Sequence, residues 1–250
     1  MSVRIFAILV LALCCVANSA TAQSPSSCVR PWAIPDKWID NHDDPNDGVW
    51  TADDTFETVD AHGNPLSDAD VYVTLADPGF TGFRLPNDLG LLVTLKIADP
   101  ADGMKSGFFY AVNIGAAGEG ANAYRSAIAA CTDTTPVHYL DFLEPLTGNM
   151  KGPTVQGVAD LINLDPSAEW DPVTKTVINS CAPSPVCGTV SPRIVNVIAF
   201  DPKWYERSWW PGGQPILQAS NIISVFIDGV VGGKVTGYIT TPPPVPAPQP

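Results

Sequence analysis

Positive charge is scarce in this sequence. The 250 residues carry 13 lysines and arginines against 26 aspartates and glutamates, a formal net charge of −13 at pH 7. A surface of that sign repels polyanions, because nucleic acid and anionic lipid attract proteins mainly through lysine and arginine. We therefore expect no nucleic acid and no anionic lipid surface among the partners of this protein.

The mature sequence also lacks an apolar run of the roughly 20 residues that a transmembrane helix needs. Residues 1–22 have the features of a secretory signal: Arg4, then an apolar core over residues 5–17, then a small-residue cleavage site that ends at Ala22. Cleavage there predicts a secreted or periplasmic protein with no membrane span. Residues 23–240 are then a single β-rich domain, and residues 241–250 are a proline-rich, disordered tail.

Motifs of known catalytic chemistry are missing too. His42, His62 and His138 are far apart and have no metal-ligand spacing, and no G-x-S-x-G nucleophile elbow occurs. A glycoside hydrolase needs only two carboxylates, but nothing in the sequence selects one pair among so many. We therefore predict a protein that is not an enzyme, and keep a secreted hydrolase with a carboxylate pair as the least favoured alternative.

Four cysteines remain after the predicted cleavage: Cys28, Cys131, Cys181 and Cys187. An even number in an exported chain suggests two disulfides, for which three pairings are open. The short proline-containing loop from Cys181 to Cys187 favours a bond across that loop, which leaves Cys28 to pair with Cys131. Zinc is the weaker interpretation, because no C-x-x-C spacing occurs.

Composition and periodicity predict a mainly β (α+β) fold, an antiparallel sheet or sandwich with two short helices. Runs rich in β-branched and aromatic residues predict strands at 71–75, 91–97, 108–114, 138–143, 193–200, 222–227 and 235–239. Gly232-Gly233 and the preceding Asp228-Gly229 favour a hairpin between the last two strands. The proline-punctuated segment 28–38 is expected to run extended over the surface.

Two segments have helical periodicity. Apolar residues recur at i, i+3, i+4 and i+7 from Val155 to Ile162, and Pro153 suits the first turn. This helix should end near Asn163, because an Asp-Pro pair follows, and we expect it to be the centre of packing. The second helix is predicted over residues 121–131.

Twelve acidic side chains lie between Asp36 and Asp77, opposed only by Lys37. Such a density repels itself unless solvent or a cation relieves it, and calcium takes six to eight oxygen ligands from loops of this kind. The densest part is therefore a candidate calcium site, formed by Asp43, Asp44, Asn46, Asp47, Asp53 and Asp54. The spacing departs from an EF-hand, because Gly48 falls on a ligand position, and a solvated acidic turn is the alternative.

The segment 203–215 is the strongest candidate for binding. It places Trp204, Tyr205, Trp209 and Trp210 on one glycine- and proline-containing loop. Exposed aromatic side chains of this kind bind sugar faces or partner proteins. The alternative is that they fold over the core as a hydrophobic lid.

The order of several motifs resembles a known family. The segments CVRPWAIPD, GLLVTLKIADP with GFFYAVNI, AYRSAIAAC, GNMKGPTVQGVADLINLDP and SPRIV-x4-FDP are similar to the extracytoplasmic region of TadG-like Flp/Tad pilus-assembly proteins, over residues 28–238. A cleavable signal stands where such proteins have an uncleaved membrane helix. The resemblance implies a role through protein partners of a pilus or envelope assembly and offers no catalytic residues. A secreted carbohydrate-binding module that uses the Trp204–Trp210 loop is the alternative.

Overall fold

A computed structural model describes residues 29–42, 50–51, 54–97, 108–115, 120–130, 136–146, 150–185, 187–207 and 216–243. The elements in chain order are β1 (Val29–Pro35), β2 (Leu92–Ile97), β3 (Phe108–Asn113), α1 (Ala121–Ala129), β4 (Phe142–Pro145), α2 (Lys151–Asn163), β5 (Glu169–Asp171), β6 (Thr176–Ile178), β7 (Ile194–Phe200), α3 (Pro202–Arg207), β8 (Leu217–Val231) and β9 (Lys234–Thr240). Strand outweighs helix, so the prediction of a mainly β fold is confirmed.

The pairings of six strands close on themselves. β1 pairs with β7, β7 with β8, β8 with β9, β9 with β2, β2 with β3, and β3 again with β1. β4 lies between β3 and β8 and pairs with both. The β1–β7 and β2–β3 pairs are parallel, so the sheet is mixed rather than wholly antiparallel as the sequence suggested.

At β1 and β7, both faces of this sheet are buried. In β1, Trp32 and Ile34 belong to one apolar cluster and Ala33 to another, and in β7 Val197 and Ile198 divide in the same way. Strands covered on both faces have continuous apolar runs instead of alternating ones. This explains why residues 194–200 are apolar almost throughout.

The helices α1 and α2 cover the first of these clusters. Val158 and Leu161 of α2 and Ile128 of α1 are fully buried in it. Gly157 brings the helices together, since a Cβ there would lie 2.8 Å from the Cβ of Ile128. Both predicted helices are confirmed, and α2 begins and ends within two residues of the predicted bounds. A third helix, α3, lies where the sequence suggested a loop.

The prediction for segment 28–38 was right about conformation and wrong about location. β1 is extended, but all seven of its residues are buried. Pro31 cannot donate a backbone hydrogen bond to a neighbouring strand. The strand accommodates it with a register shift between Val29 and Ala33, so the prolines do not force it to the surface.

The predicted strand at 71–75 is absent from the described structure. Val71 makes an isolated bridge to Ile39, and the backbone N–H of Val73 donates to the hydroxyl of Thr81 at 3.0 Å. Side chains and turns therefore satisfy this backbone, and no neighbouring strand does. The strand expected at 138–143 begins later, as β4, because a tight turn occupies the residues around Leu140, whose φ is 72°.

The hairpin of β8 and β9 is confirmed. Gly232 and Gly233 form its turn with positive φ values of 59° and 80°, a conformation that glycine adopts without strain. Asp228-Gly229 marks a bulge within β8, where the register shifts, and not a turn. The small β5–β6 hairpin was not predicted; Trp170 on β5 stacks at 5.1 Å on Tyr238 of β9.

Cys181 and Cys187 form the predicted disulfide, with their Cα atoms 5.9 Å apart. Cys28 and Cys131 lie outside the described residues, and their pairing stays a prediction. Within the described ranges, no helix has both the length and the apolar character needed to cross a membrane.

Candidate functional site

Three of the motif segments meet at a buried polar joint between β1, α1 and α2. The indole Nε1 of Trp32 donates to the hydroxyl of Tyr124 at 3.0 Å, and that hydroxyl lies 2.9 Å from Oγ1 of Thr154. Thr154 in turn donates to the carbonyl of Met150 at 2.8 Å, one turn earlier in the chain. Every polar group of this joint has a partner, which is what a stable core requires.

A second joint lies at the C-terminal end of α2, where the segment that contains Thr154 meets the SPRIV segment. The carboxylate of Asp165 is fully buried and accepts hydrogen bonds from the hydroxyls of Ser180 and Ser191, both at 2.6 Å, and from the backbone N–H of Cys181 at 3.0 Å. Burial acts to raise the pKa of Asp165, but these hydrogen bonds and the charge of Arg193 outweigh it, so the pKa is lowered.

Arg193 completes the second joint. Its guanidinium donates to four backbone carbonyls, those of Ile227 (2.9 Å), Asp165 (3.1 Å), Ala168 (2.7 Å) and Asp228 (2.7 Å). It also lies 4.7 Å from the centre of the Phe226 ring, within the range of a cation–π contact. The joint fastens α2, the β5–β6 hairpin and the bulge of β8 to one another. Four of the five N–H groups of Arg193 donate to the protein's own backbone, so its role is structural.

A third buried charge, Asp36, follows β1. Its carboxylate accepts hydrogen bonds from the backbone N–H groups of Lys37 and Phe83 and from the hydroxyls of Tyr72 and Ser220, at 2.8 to 3.2 Å. Burial raises the pKa of Asp36 to about 6 despite these bonds. All four donors belong to the protein itself, and they identify Asp36 as the tie between the sheet and residues 72–83.

The acidic segment is described in part. Asp43, Asp44, Asn46, Asp47 and Asp53 lie outside the described residues. Asp54 is fully buried and accepts a hydrogen bond from the hydroxyl of Thr51 at 2.9 Å. In the described part of the chain, no three histidine, cysteine, aspartate or glutamate side chains are arranged to hold a metal ion. The calcium site stays a prediction.

His42 lies at the edge of this segment, among carboxylates. Its Nε2 is 3.3 Å from Glu57 and its Nδ1 is 3.2 Å from Asp68. Partial burial lowers the pKa of His42, but the hydrogen bond to Asp68 and the charges of Asp68, Glu57 and Asp70 together raise it. Asp70 itself accepts the backbone N–H groups of Asn41, at 2.8 Å, and of His42, at 3.0 Å. His42 therefore links the parts of the segment that carry Glu57 and Asp68.

The aromatic segment after β7 separates into a buried and an exposed residue. Asp201 accepts the N–H of Lys203 at 2.7 Å and so caps the first turn of α3. The turn directs Tyr205 inward, where its hydroxyl accepts a hydrogen bond from that of Tyr110 at 2.8 Å. Trp204 is directed outward. The lid interpretation is therefore right for Tyr205, and the exposed interpretation for Trp204.

Trp204 has an exposed aromatic neighbour that the sequence analysis missed. The ring of Phe142, on β4, lies 5.6 Å from the ring of Trp204, and Phe142 is 63% exposed while Trp204 is 36% exposed. We call these two side chains the aromatic pair. Tyr139 and Leu140, in the turn before β4, are also exposed. Trp209 and Trp210 lie outside the described residues.

The alternation of exposed and buried residues along β4 could have indicated that Phe142 is exposed, since Leu143 points inward and its neighbours point outward. Its contact with Trp204 could not be read from the sequence, because it depends on the pairing of β4 with β8 and on a helix that was not predicted.

Comparison with known proteins adds no relative: no family model, no curated protein and no solved structure matches the chain. The fold and the residues described above therefore carry the functional argument.

Proposed function

We propose that this chain is an exported, non-enzymatic protein of the Flp/Tad pilus-assembly type, which acts through protein contacts at the cell envelope or surface. The aromatic pair is the surface through which it makes those contacts. The observation that carries the proposal is the solvent exposure of Phe142 beside Trp204.

The energetics favour a protein partner for this pair. Aromatic side chains each bury about 150–250 Å² when covered, and burial is worth about 25 cal/mol per Å² of apolar surface. Large aromatic residues near the centre of an interface contribute most of its binding energy. Phe142 lies on a strand that pairs with both β8 and β3, and Trp204 sits on a capped helix, so the two rings are held in place before a partner arrives. Such preorganisation lowers the entropic cost of association.

Two sequence features support export and the type of assembly. The predicted signal at residues 1–22 and the disulfide of Cys181 with Cys187 both suit an oxidising compartment outside the cytoplasm. The order of the motif segments supports the pilus-assembly type. Calcium bound by the acidic segment would be an additional feature of this role and is no part of the aromatic pair.

The proposal is tested by deleting the gene in the source organism and counting surface pili by electron microscopy. We expect pili to be lost on deletion and restored by the wild-type gene. The double variant Phe142→Ser, Trp204→Ser should fail to restore them while reaching the same level outside the cytoplasm.

The matched control is Val173→Ser, which removes another exposed apolar side chain, 88% exposed, from the turn between β5 and β6. This variant should restore pili fully. Unchanged pili in the deletion strain would refute the assembly role. Full restoration by the double variant would refute the part assigned to the aromatic pair.

A carbohydrate-binding module is the second candidate, and the exposed ring of Trp204 is the observation that favours it. Sugar faces stack on exposed indole rings. Calorimetric titration with soluble oligosaccharides from the cell envelope separates the two functions. Heat of binding that Trp204→Ala abolishes and Val173→Ser preserves would replace the protein partner with a glycan.

A further inference from the structure

Arg30 is a buried cation with few partners. It lies on β1, and its side chain is 6% exposed. One of its guanidinium nitrogens, Nη1, donates to the carbonyl of Ala127 at 3.3 Å. Ala127 belongs to the last turn of α1, whose carbonyls carry partial negative charge and have no partner within the helix. This one contact satisfies one of the five N–H groups of the side chain.

Among the described residues, no acceptor is bonded to the rest of the guanidinium. Nε is buried and has no hydrogen-bond partner. No carboxylate of the described residues forms an ion pair with Arg30, although five other basic side chains form such contacts. Burial lowers the pKa of Arg30 to about 10, and no neighbouring charge counters that effect. The guanidinium nevertheless stays protonated at neutral pH.

The geometry of the side chain defines what would satisfy it. A guanidinium is planar, and the N–H groups of Nε and Nη2 point in parallel from one edge. That edge matches two oxygens of a carboxylate, phosphate or sulfate, which accept a pair of parallel hydrogen bonds. The bond from Nη1 to Ala127 leaves this edge unused. We infer that Arg30 is an oxyanion-binding site, in which the edge with Nε and Nη2 holds a carboxylate- or phosphate-type group.

A buried charge without a counter-charge is costly, and an anion with two good hydrogen bonds relieves that cost. The net charge of −13 opposes the approach of an anion. This opposition acts over long distances and is screened at physiological ionic strength, where the Debye length is about 8 Å. The contact at Arg30 is short and partly desolvated, so salt weakens it much less.

The inference is tested by thermal unfolding of the whole secreted protein at constant ionic strength, as sodium chloride is replaced by sodium phosphate or sodium acetate. Binding to the folded state alone raises Tm by mass action. At a tenfold excess over Kd we expect a rise of about 3–6 °C for a domain of this size. Arg30→Met, which keeps much of the volume and removes the charge, should abolish the rise.

Arg125→Met is the matched control. Arg125 also lies on α1, but it is exposed and already paired with Asp160, at 2.6 and 3.0 Å. This variant should keep the full response to the anion. A wild-type protein that responds to neither anion would overturn the inference, and so would a response that persists in Arg30→Met.

A second measurement covers the case in which Arg30→Met does not fold. In the wild-type protein, the buried Nε–H group of Arg30 gives a guanidinium signal in ¹⁵N-correlated NMR spectra. We expect this signal to shift as phosphate or acetate is added, with the same Kd as the thermal response, and a signal that stays in place overturns the inference. The stronger of the two anions identifies the source: acetate indicates a peptide or acid-sugar carboxylate, and phosphate indicates a phosphorylated ligand.

Discussion

Arg193 and Arg30 are two arginines of nearly equal burial, 3% and 6% exposed, in very different surroundings. Arg193 donates to four carbonyls and lies over an aromatic ring. Arg30 donates to one carbonyl, through a longer bond of 3.3 Å. The first arginine has the partners of a structural cross-link. The second has donors that no described residue accepts, and these donors are the basis for inferring a ligand at Arg30.

Two of the buried carboxylates, Asp165 and Asp36, show a similar contrast. At Asp165, hydrogen bonds from Ser180, Ser191 and Cys181, with a smaller contribution from the charge of Arg193, outweigh burial and lower the pKa. Asp36 has four hydrogen-bond donors but no opposite charge among the causes that shift it, and burial raises its pKa to about 6. The interactions around the carboxylate therefore compensate for burial at Asp165 and do not at Asp36. The joint around Arg193 is therefore the part of the molecule where buried charges compensate one another.

Arg193→Met should have the largest effect on stability. The substitution leaves four carbonyls without donors and Asp165 without its nearby positive charge, and removing one partner of a buried charged network costs about 3–5 kcal/mol. Urea unfolding at pH 7 measures this loss. Arg125→Met, at an exposed ion pair, should lose less than about 1 kcal/mol. Similar small losses for both variants would show that the joint does not hold α2 to the sheet.

Asp36 should make the protein less stable as the pH rises. Its folded-state pKa of about 6 lies above the ordinary value of 3.8, so the folded state binds the proton more tightly. The stability from Asp36 is full below pH 3.8 and is lost as the pH rises through 6, by about 3 kcal/mol at 1.36 kcal/mol per pKa unit. The difference in unfolding free energy between wild type and Asp36→Asn, measured from pH 3 to 8, isolates this contribution. A difference that does not vary with pH would contradict it.

Asp165→Asn tests a pH dependence of stability that is opposite in sign to that of Asp36. At pH 7 the amide places an N–H₂ group where donors from Ser180, Ser191 and Cys181 converge, at a cost of about 2 kcal/mol. The lowered pKa of Asp165 means that its stabilisation is present above pH 3.8 and is lost as the pH falls through the folded-state value. The gap between wild type and variant should therefore narrow in acid. Urea unfolding at pH 7 and pH 3 compares them, and a gap that widens in acid would contradict the assignment.

The sequence correctly predicted the elements whose structure is determined by residues close together in the chain. The periodicity of α2, the glycine turn of the β8–β9 hairpin and the Cys181–Cys187 loop all depend on residues close in sequence, and all three are confirmed. Segments whose structure depends on distant partners were predicted less well. The burial of β1 requires β3 and β7 on either side, and residues 71–75 fail as a strand because no neighbouring strand is there to pair with them.

The candidate sites divide in the same way. The sequence identified Trp204 but not Phe142, because nothing local shows that residues 62 positions apart meet across β4 and α3. Arg30 carries no sequence signal at all, since an arginine beside a proline and a tryptophan gives no indication of burial. The inference about Arg30 rests on the scarcity of hydrogen-bond acceptors around its guanidinium. Which acceptors surround a side chain depends on the folded structure and not on the neighbouring sequence.

Arg30→Met in a buffer without phosphate or carboxylate should have the smallest effect on stability, and it should not destabilise the protein as Arg193→Met does. Replacing a poorly partnered buried charge with an apolar side chain of similar volume is neutral or stabilising, so we expect a change between zero and a gain of about 1 kcal/mol. Urea is the denaturant of choice, because it adds no anion that could occupy the site. A loss above about 2 kcal/mol would mean that Arg30 is held as firmly as Arg193. The contrast between the two arginines would then fail, and with it the reason to expect an anion at one of them.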